Sequence, residues 1–233
     1  MPENRRFVIG DIHGCIRTLK YLVEDVLQLG PTDTLFLLGD IIDRGPESKV
    51  VIDYIMALSV TSFLRPVMGN HEFMMLRSLE DEDFFHRWTL NGCAQTLISF
   101  GVDPSRVYDQ DSVFQIPQSY FDFFRRWPLY EETDDFLFVH AGLDAISKDP
   151  LSDIDTLLWT RNEDAPQDIL KGRKLIHGHT PVSLSLIQKR LLDPGVKVLN
   201  LDGGCVYNRY PDFGNLVALD LDQMKLYSVR NKD

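Results

Sequence analysis

Five short stretches carry most of the ligating chemistry of the chain: GDIHG (residues 10–14), GDIIDRG (39–45), GNHE (69–72), VHAG (139–142) and HGHT (177–180). Each follows an apolar run and joins carboxylate, imidazole or carboxamide to glycine. Taken singly, Asp11, Asp40 or Asn70 is commonplace where a strand turns into a helix, because both residue types suit turns and caps. Five such joints in one chain, with His13 and His140 in similar contexts, need another reason. A buried carboxylate is costly unless it is paired or bound to metal, and glycine lets the backbone turn sharply and approach a small ion. Carboxylate and amide oxygen mixed with imidazole nitrogen, without thiolate, suits divalent manganese, iron or zinc rather than a cysteine-type structural zinc site. One aspartate can bridge two ions, and ions about 3.5–4 Å apart form the two-metal sites of phosphatases. Paired cations neutralise the charge that develops on a phosphate ester, which makes such an ester the expected substrate class.

The elements that must position these residues alternate along the first half. Residues 7–10, 35–38 and 63–67 read as buried strands. Between the first two, Ile16, Leu19, Leu22, Val23, Val26 and Leu27 repeat at helical spacing until Gly30-Pro31 stops the helix. Pro46 opens a second helix carrying Val50, Val51, Tyr54, Ile55 and Leu58. Strand, helix, strand, helix, strand predicts a largely parallel layer with helices packed on it. Ligand sites of open α/β sheets form at the carboxyl ends of the strands, where these five stretches fall. Residues 73–130 read as helical pieces broken by Asn91-Gly92, Gly101 and Pro117. Residues 136–139 and 174–177 return to strand, and 183–188, 197–201, 216–221 and 224–229 read as consecutive strands, the last two a hairpin across Asp222-Gln223. The expectation is one α/β domain over residues 1–233, with two β layers and helices outside.

Composition narrows the partners. At 233 residues, 44% hydrophobic and 25% charged, the chain can bury a full core and is not disordered. Its net charge of -11 argues against a duplex nucleic-acid binder, which needs a basic face. Bound metals can still reverse the sign of a pocket locally and admit a phosphate substrate. Cys15, Cys93 and Cys205 share no paired spacing and read as free thiols of a reducing compartment. No apolar run has the length of a membrane span, and the polar start MPENRR leaves no room for a signal peptide. Together these predict a cytoplasmic protein that binds no membrane; nothing in them sets an oligomeric state.

The five stretches, in this order, resemble those of the calcineurin-like metallophosphoesterases, and within them the short bacterial and phage-type branch of the phosphoprotein phosphatases. The resemblance runs over about residues 7–205 and extends to GGCVY (203–207). It implies a two-sheet α/β sandwich flanked by helices and two divalent ions per chain, manganese first, with iron or zinc as alternatives. Asp11 and His13 are implied to hold the first ion, Asp40 to bridge both, and Asn70, His140 and His179 to complete the second. A hydroxide between the ions is implied to attack phosphorus in line. His71, oriented by Asp43, would protonate the leaving oxygen, while Arg44 and Arg161 bind phosphoryl oxygens. An imidazole held by a carboxylate can supply a proton near neutral pH, and guanidinium forks stabilise charge on the non-bridging oxygens.

The expected activity is therefore that of a serine/threonine protein phosphatase, extending to phosphotyrosine, with phosphorylated proteins or peptides as partners. Symmetrical dinucleoside tetraphosphate hydrolysis, found in a sister family, is the alternative. Members of that family typically lack the second acid of GDxxDRG and carry GNHD, whereas Asp43 and Glu72 stand here. A catalytically silent metal-binding module and a nuclease are further readings. His177, His86, Cys15 and the acidic run 80–83 are assigned to structure or surface, and the aromatics of 120–130 to core packing.

Overall fold

A computed structural model describes residues 4–144, 147, 149–162 and 164–233; the first three residues of the polar start lie outside it. Two mixed sheets face each other. The first has the order β3-β2-β1-β8-β9 and the second β4-β5-β6-β7. Strands β1 (Arg6–Ile9), β2 (Thr34–Leu37) and β3 (Phe63–Pro66) are parallel, with Phe7 opposite Leu35 and Leu35 opposite Leu64. The hairpin β8 (Asn215–Asp220) and β9 (Lys225–Arg230) lies antiparallel beside β1 and turns at Leu221 to Met224, as the sequence predicts. In the second sheet β5 (Phe136–Val139), β6 (Lys174–His177) and β7 (Val198–Asn200) are parallel, and β4 (Tyr130–Glu132) closes the edge antiparallel to β5.

Strand periodicity divides the core. Val8, Phe36 and Leu38 point between the sheets and meet Phe138, Ile176 and Leu199, with the Phe36 and Phe138 rings stacked at 4.2 Å. Phe7, Ile9, Leu35 and Leu37 point the other way, onto α1 (Ile16–Lys20), the wider π-helical turn Tyr21–Val26 that continues it, and α2 (Ser48–Thr61). Helices α3 (Asn70–Arg77), α4 (Glu82–Leu90), α5 (Cys93–Ser99) and α6 (Gln118–Phe124) pack into the same cluster. Tyr120, Phe121, Phe124 and Trp127 are buried in it, so the aromatic segment is core. The outer face of the second sheet is covered by α7 (Ile154–Trp159) and α8 (Gln167–Leu170) through Leu157 and Leu170.

One predicted strand is a helix. Residues 184–188 belong to α9 (Leu184–Leu191), capped by Ser183, whose hydroxyl accepts the Leu186 N–H at 3.2 Å. The Ser-Leu-Ser-Leu alternation imitates a strand. The residues that pack on the inter-sheet core, Leu184, Ile187 and Leu191, follow helical spacing instead. All three cysteines are buried and free. Among the described residues no helix is long and apolar enough to cross a membrane.

Candidate metal centre

The ends of β1, β2 and β3 and the start of α3 meet at one point because glycine lets them. Gly39, at φ +87°, passes so close to Gly69 that a Cβ on it would lie 2.5 Å from the Gly69 Cα. Around these strand-end glycines the chain accepts strain. His13, Asp40, Asp43, Arg44 and His179 have φ of 48°, 48°, 69°, 65° and 71°. That region costs a non-glycine residue about 1–3 kcal/mol and persists only where the surroundings enforce it. Glu72 supplies much of the enforcement. Buried on α3, it accepts the N–H groups of Asp40 (2.9 Å), Gly69 (3.2 Å), Ile41 (2.9 Å) and Ile42 (3.3 Å). Burial, with the charge of Asp40 beside it, pushes the Glu72 carboxyl up to about 8.

Asp40 stands at the centre. Its Oδ2 lies 3.7 Å from His13 Nε2 and 3.7 Å from His71 Nε2, and its Oδ1 lies 3.4 Å from His140 Nε2. Two donor groups result, His13–Asp40–His71 and Asp40–His140–His179, with ligand atoms within 4.8 Å of one another in each. The histidine tautomers are set from behind. His13 Nδ1 donates to the Ile42 carbonyl at 2.8 Å and His140 Nδ1 to that of Leu38 at 2.7 Å, so both Nε2 lone pairs face inward. His140 Nε2 lies 3.0 Å from the Asn70 amide, whose nitrogen, turned this way, donates to it and to Asp40, and 3.1 Å from His179 Nδ1.

The donor set fits divalent cations. Burial, then the charge of Arg44, holds His13 well below the usual histidine range; burial lowers His140, and burial with His140 nearby lowers His179 to about 3. Neutral imidazoles are what metal binding requires. Burial opposes ionisation of Asp40, but protons that reach His140, His71 and His13 as pH falls attract the carboxylate and, with Arg44, keep it charged. Burial, Asp202 and Asp40 raise Asp11 well above the usual carboxylate range, and burial with Asp40 nearby raises Asp202 to about 7. Three buried carboxylates and several inward lone pairs oppose one another until positive charge enters among them.

His71 and Asp43 form a separate assembly. His71 is fully buried, and its Nδ1 lies 2.6 Å from Asp43 Oδ2. Trp88 Nε1 (2.6 Å) and the Thr96 hydroxyl (2.5 Å) donate to the same carboxylate and fix it. Burial disfavours the charged ring, but Asp40 and Asp43 outweigh it and raise the pKa of His71. Its Nε2 has no hydrogen-bond partner although it is buried, and such an atom needs a functional account.

The predicted residues therefore converge, with two exceptions. Asp11 stands outside both donor groups: its oxygens accept the His179 N–H at 3.2 and 3.1 Å. Arg161 is exposed after α7, and its positive charge bears on His179. Arg44 is half-buried, with Nη1 2.7 Å from His13 Nε2. His177 is buried, its Nδ1 3.1 Å from the Gly178 carbonyl, and His86 is exposed on α4. Sequence reasoning missed Asp202, which follows β7 in LDGG and repeats the grammar of the other strand ends. It also missed the bracing by Glu72, which it took only as a motif letter.

The family model for calcineurin-like phosphoesterases matches residues 5–219. A symmetrical bis(5'-nucleosyl)-tetraphosphatase of Photorhabdus laumondii is 32% identical over 143 residues, 59% of this chain and 44% of that protein. The chain spans less than half the length of the curated relatives it matches. A crystal structure of a candidate diadenosine tetraphosphatase superposes with a TM-score of 0.65 at 20% identity, covering 99% of this chain and 95% of the other. A protein serine/threonine phosphatase from Saccharomyces cerevisiae gives 0.63 at 17%, covering 100% and 81%. The fold is thus common to both activities. The expectations of a protein phosphatase and of phosphorylated protein partners are overturned by the relatives, whose shared name is symmetrical bis(5'-nucleosyl)-tetraphosphatase. The physical reason lies in the two residues used to discriminate: Asp43 orients His71 and Glu72 braces backbone, and both are wholly buried.

Proposed function

The chain belongs to the calcineurin-like phosphoesterase family, and we propose that it is a divalent-metal-dependent hydrolase that cuts a dinucleoside tetraphosphate symmetrically, water adding to one central phosphorus while a nucleoside diphosphate leaves. The name shared by the curated relatives supports the substrate. The observation that carries the chemistry is that the two oxygens of Asp40 face different imidazoles, His13 on one side and His140 on the other. Asp11, His13 and one Asp40 oxygen would hold one ion; the other oxygen with Asn70, His140 and His179 would hold a second, manganese being the ion of choice. When bound, such ions supply positive charge against the phosphate oxygens and acidify a water for in-line attack.

The remaining steps belong to the chain. Arg44 Nη1 lies against the His13 Nε2 lone pair, and the remaining N–H groups of its guanidinium would bind a phosphate. Arg161, on the open side, takes a second phosphate. His71 keeps one proton on Nδ1 against Asp43 and delivers another from Nε2 to the departing oxygen. Manganese-loaded protein tested on diadenosine tetraphosphate, para-nitrophenyl phosphate and a phosphopeptide checks the reading. The expected result is preference for the dinucleotide with ADP as the sole product. Preference for the phosphopeptide, or release of ATP with AMP, overturns it.

A further inference from the structure

The connection between β7 and β8 carries three aromatics that neither the core nor the metal centre uses. Tyr207, Tyr210 and Phe213 recur every third residue because turns follow one another: Tyr207 N–H donates to the Gly204 carbonyl (2.8 Å), Tyr210 N–H to that of Tyr207 (3.1 Å) and Phe213 N–H to that of Tyr210 (3.2 Å). Arg230 of β9 ties the loop down through the carbonyls of Asn208 (2.8 Å) and Phe213. The rings meet edge to face, Tyr207 with Tyr210 at 6.5 Å and Tyr210 with Phe213 at 6.4 Å. With Pro181, two residues beyond His179, they line a pocket of about 300 Å³ that is almost wholly apolar. Tyr210 is 59% exposed, so its ring stands open to a ligand at the mouth of that pocket.

The pocket is joined to the metal centre by one side chain. Arg44 has its guanidinium carbon 5.9 Å from the centre of the Tyr207 ring while its Nη1 touches His13 Nε2. A ligand that fills the pocket therefore has one cationic phosphate-binding group, Arg44, directly beside it. A flat heteroaromatic ring next to phosphates describes a nucleotide, and aromatic stacking is how proteins hold bases without reading their edges.

We propose that Pro181, Tyr207, Tyr210 and Phe213 form a stacking subsite for one nucleobase of the substrate, with Arg44 holding the phosphates attached to that nucleoside. The subsite deepens the dinucleotide reading above and rests on it. Because stacking uses the ring face, adenine and guanine are both accepted.

The test compares ADP with pyrophosphate, titrated calorimetrically into manganese-loaded protein. Base stacking is worth about 1–3 kcal/mol, so ADP should bind roughly 5–150-fold more tightly than pyrophosphate. Tyr210→Ala, an exposed change that leaves the loop's backbone bonds in place, should collapse that ratio towards one, and Tyr210→Trp should restore it. Equal binding of ADP and pyrophosphate by the wild type overturns the proposal, as does a Tyr210→Ala protein that keeps the full ratio. Tighter binding of a phosphopeptide with an aromatic neighbour than of ADP overturns it in favour of a peptide side chain in the pocket. If the ADP preference holds but diadenosine tetraphosphate is not hydrolysed, the subsite stands and the activity assigned above falls.

Discussion

The two sheets bring different things to the same point. The first sheet, through the ends of β1, β2 and β3, delivers Asp11, His13, Asp40, Asp43, Asn70 and His71, all nearly inaccessible, several on strained backbone and braced by Glu72. The second sheet delivers His140 and Asp202 deep in the cleft but is otherwise more open: His179 is half-buried, Arg161 exposed, and Tyr210 mostly in solvent. A buried, strained and over-bonded region cannot vary without failing, so it records the reaction. An open region can vary freely, so substrate choice is written there. That contrast explains why the chemistry and the substrate were not equally readable.

The sharpest way to break the comparison is Asp40→Asn. Removing the central charge takes a shared ligand from both donor groups, and metal assistance worth several kcal/mol means a loss of at least about 10³-fold in turnover. Metal analysis should find well under two ions per chain. The wild type stripped by chelator should gain about 2.7 kcal/mol of stability when manganese reaches roughly 100 times its Kd, and the variant should gain little. Full occupancy in the variant removes Asp40 from the centre of the scheme.

Next in size is His71→Asn. General-acid catalysis contributes about 10²–10⁴-fold, but only where the departing oxygen needs a proton. Phenyl phosphate, a poor leaving group, should lose most of that factor, and para-nitrophenyl phosphate far less. Equal losses on both would make His71 an ion ligand alongside His13 and Asp40, whose donor atoms it does approach.

Arg44 and Arg161 set the two regions directly against each other. Arg44 is half-buried against His13, and its loss should cost about 10²-fold in kcat, as for a donor aimed at developing charge. Arg161 is exposed and screened, so Arg161→Ala should raise KM by roughly fivefold, about 1 kcal/mol, with kcat nearly constant. Kinetics on diadenosine tetraphosphate at two salt concentrations separate them, because only the exposed contact weakens with salt. A kcat effect at Arg161 equal to that at Arg44 erases the distinction between the sheets.

Legibility followed the same division. Strand ends that hold ligands demand particular side chains flanked by glycine, and His13, Asp40, Asn70, His71, His140 and His179 were visible for that reason. Asp202 obeys the same rule after β7 but fell between the predicted strand 197–201 and the GGCVY stretch 203–207. Its burial beside Asp11 and Asp40 appears only in three dimensions. Short elements left no period to read: β4 has three residues and α8 four. In α9 a local Ser-Leu alternation masked helical packing that only the opposite sheet reveals. The protein-phosphatase expectation leaned on Asp43 and Glu72, one of which contacts His71 and the other backbone, so neither reports on the open side of the cleft.

That last statement yields the smallest expected effect and the most direct trial. Glu72→Asp shortens the side chain by one methylene, so it can no longer reach all four N–H groups that Glu72 now satisfies. Leaving a buried donor unpaired costs about 1–3 kcal/mol, and for a chain of this size each kcal/mol lowers Tm by roughly 2–4 °C. Calorimetry should therefore record a fall of a few degrees. The ratio of activity on diadenosine tetraphosphate to that on para-nitrophenyl phosphate should stay where it is, since the carboxylate contacts backbone alone. A tenfold change in that ratio would mean that the letter after GNH reaches the substrate after all, by shifting Asp40 on the backbone Glu72 holds.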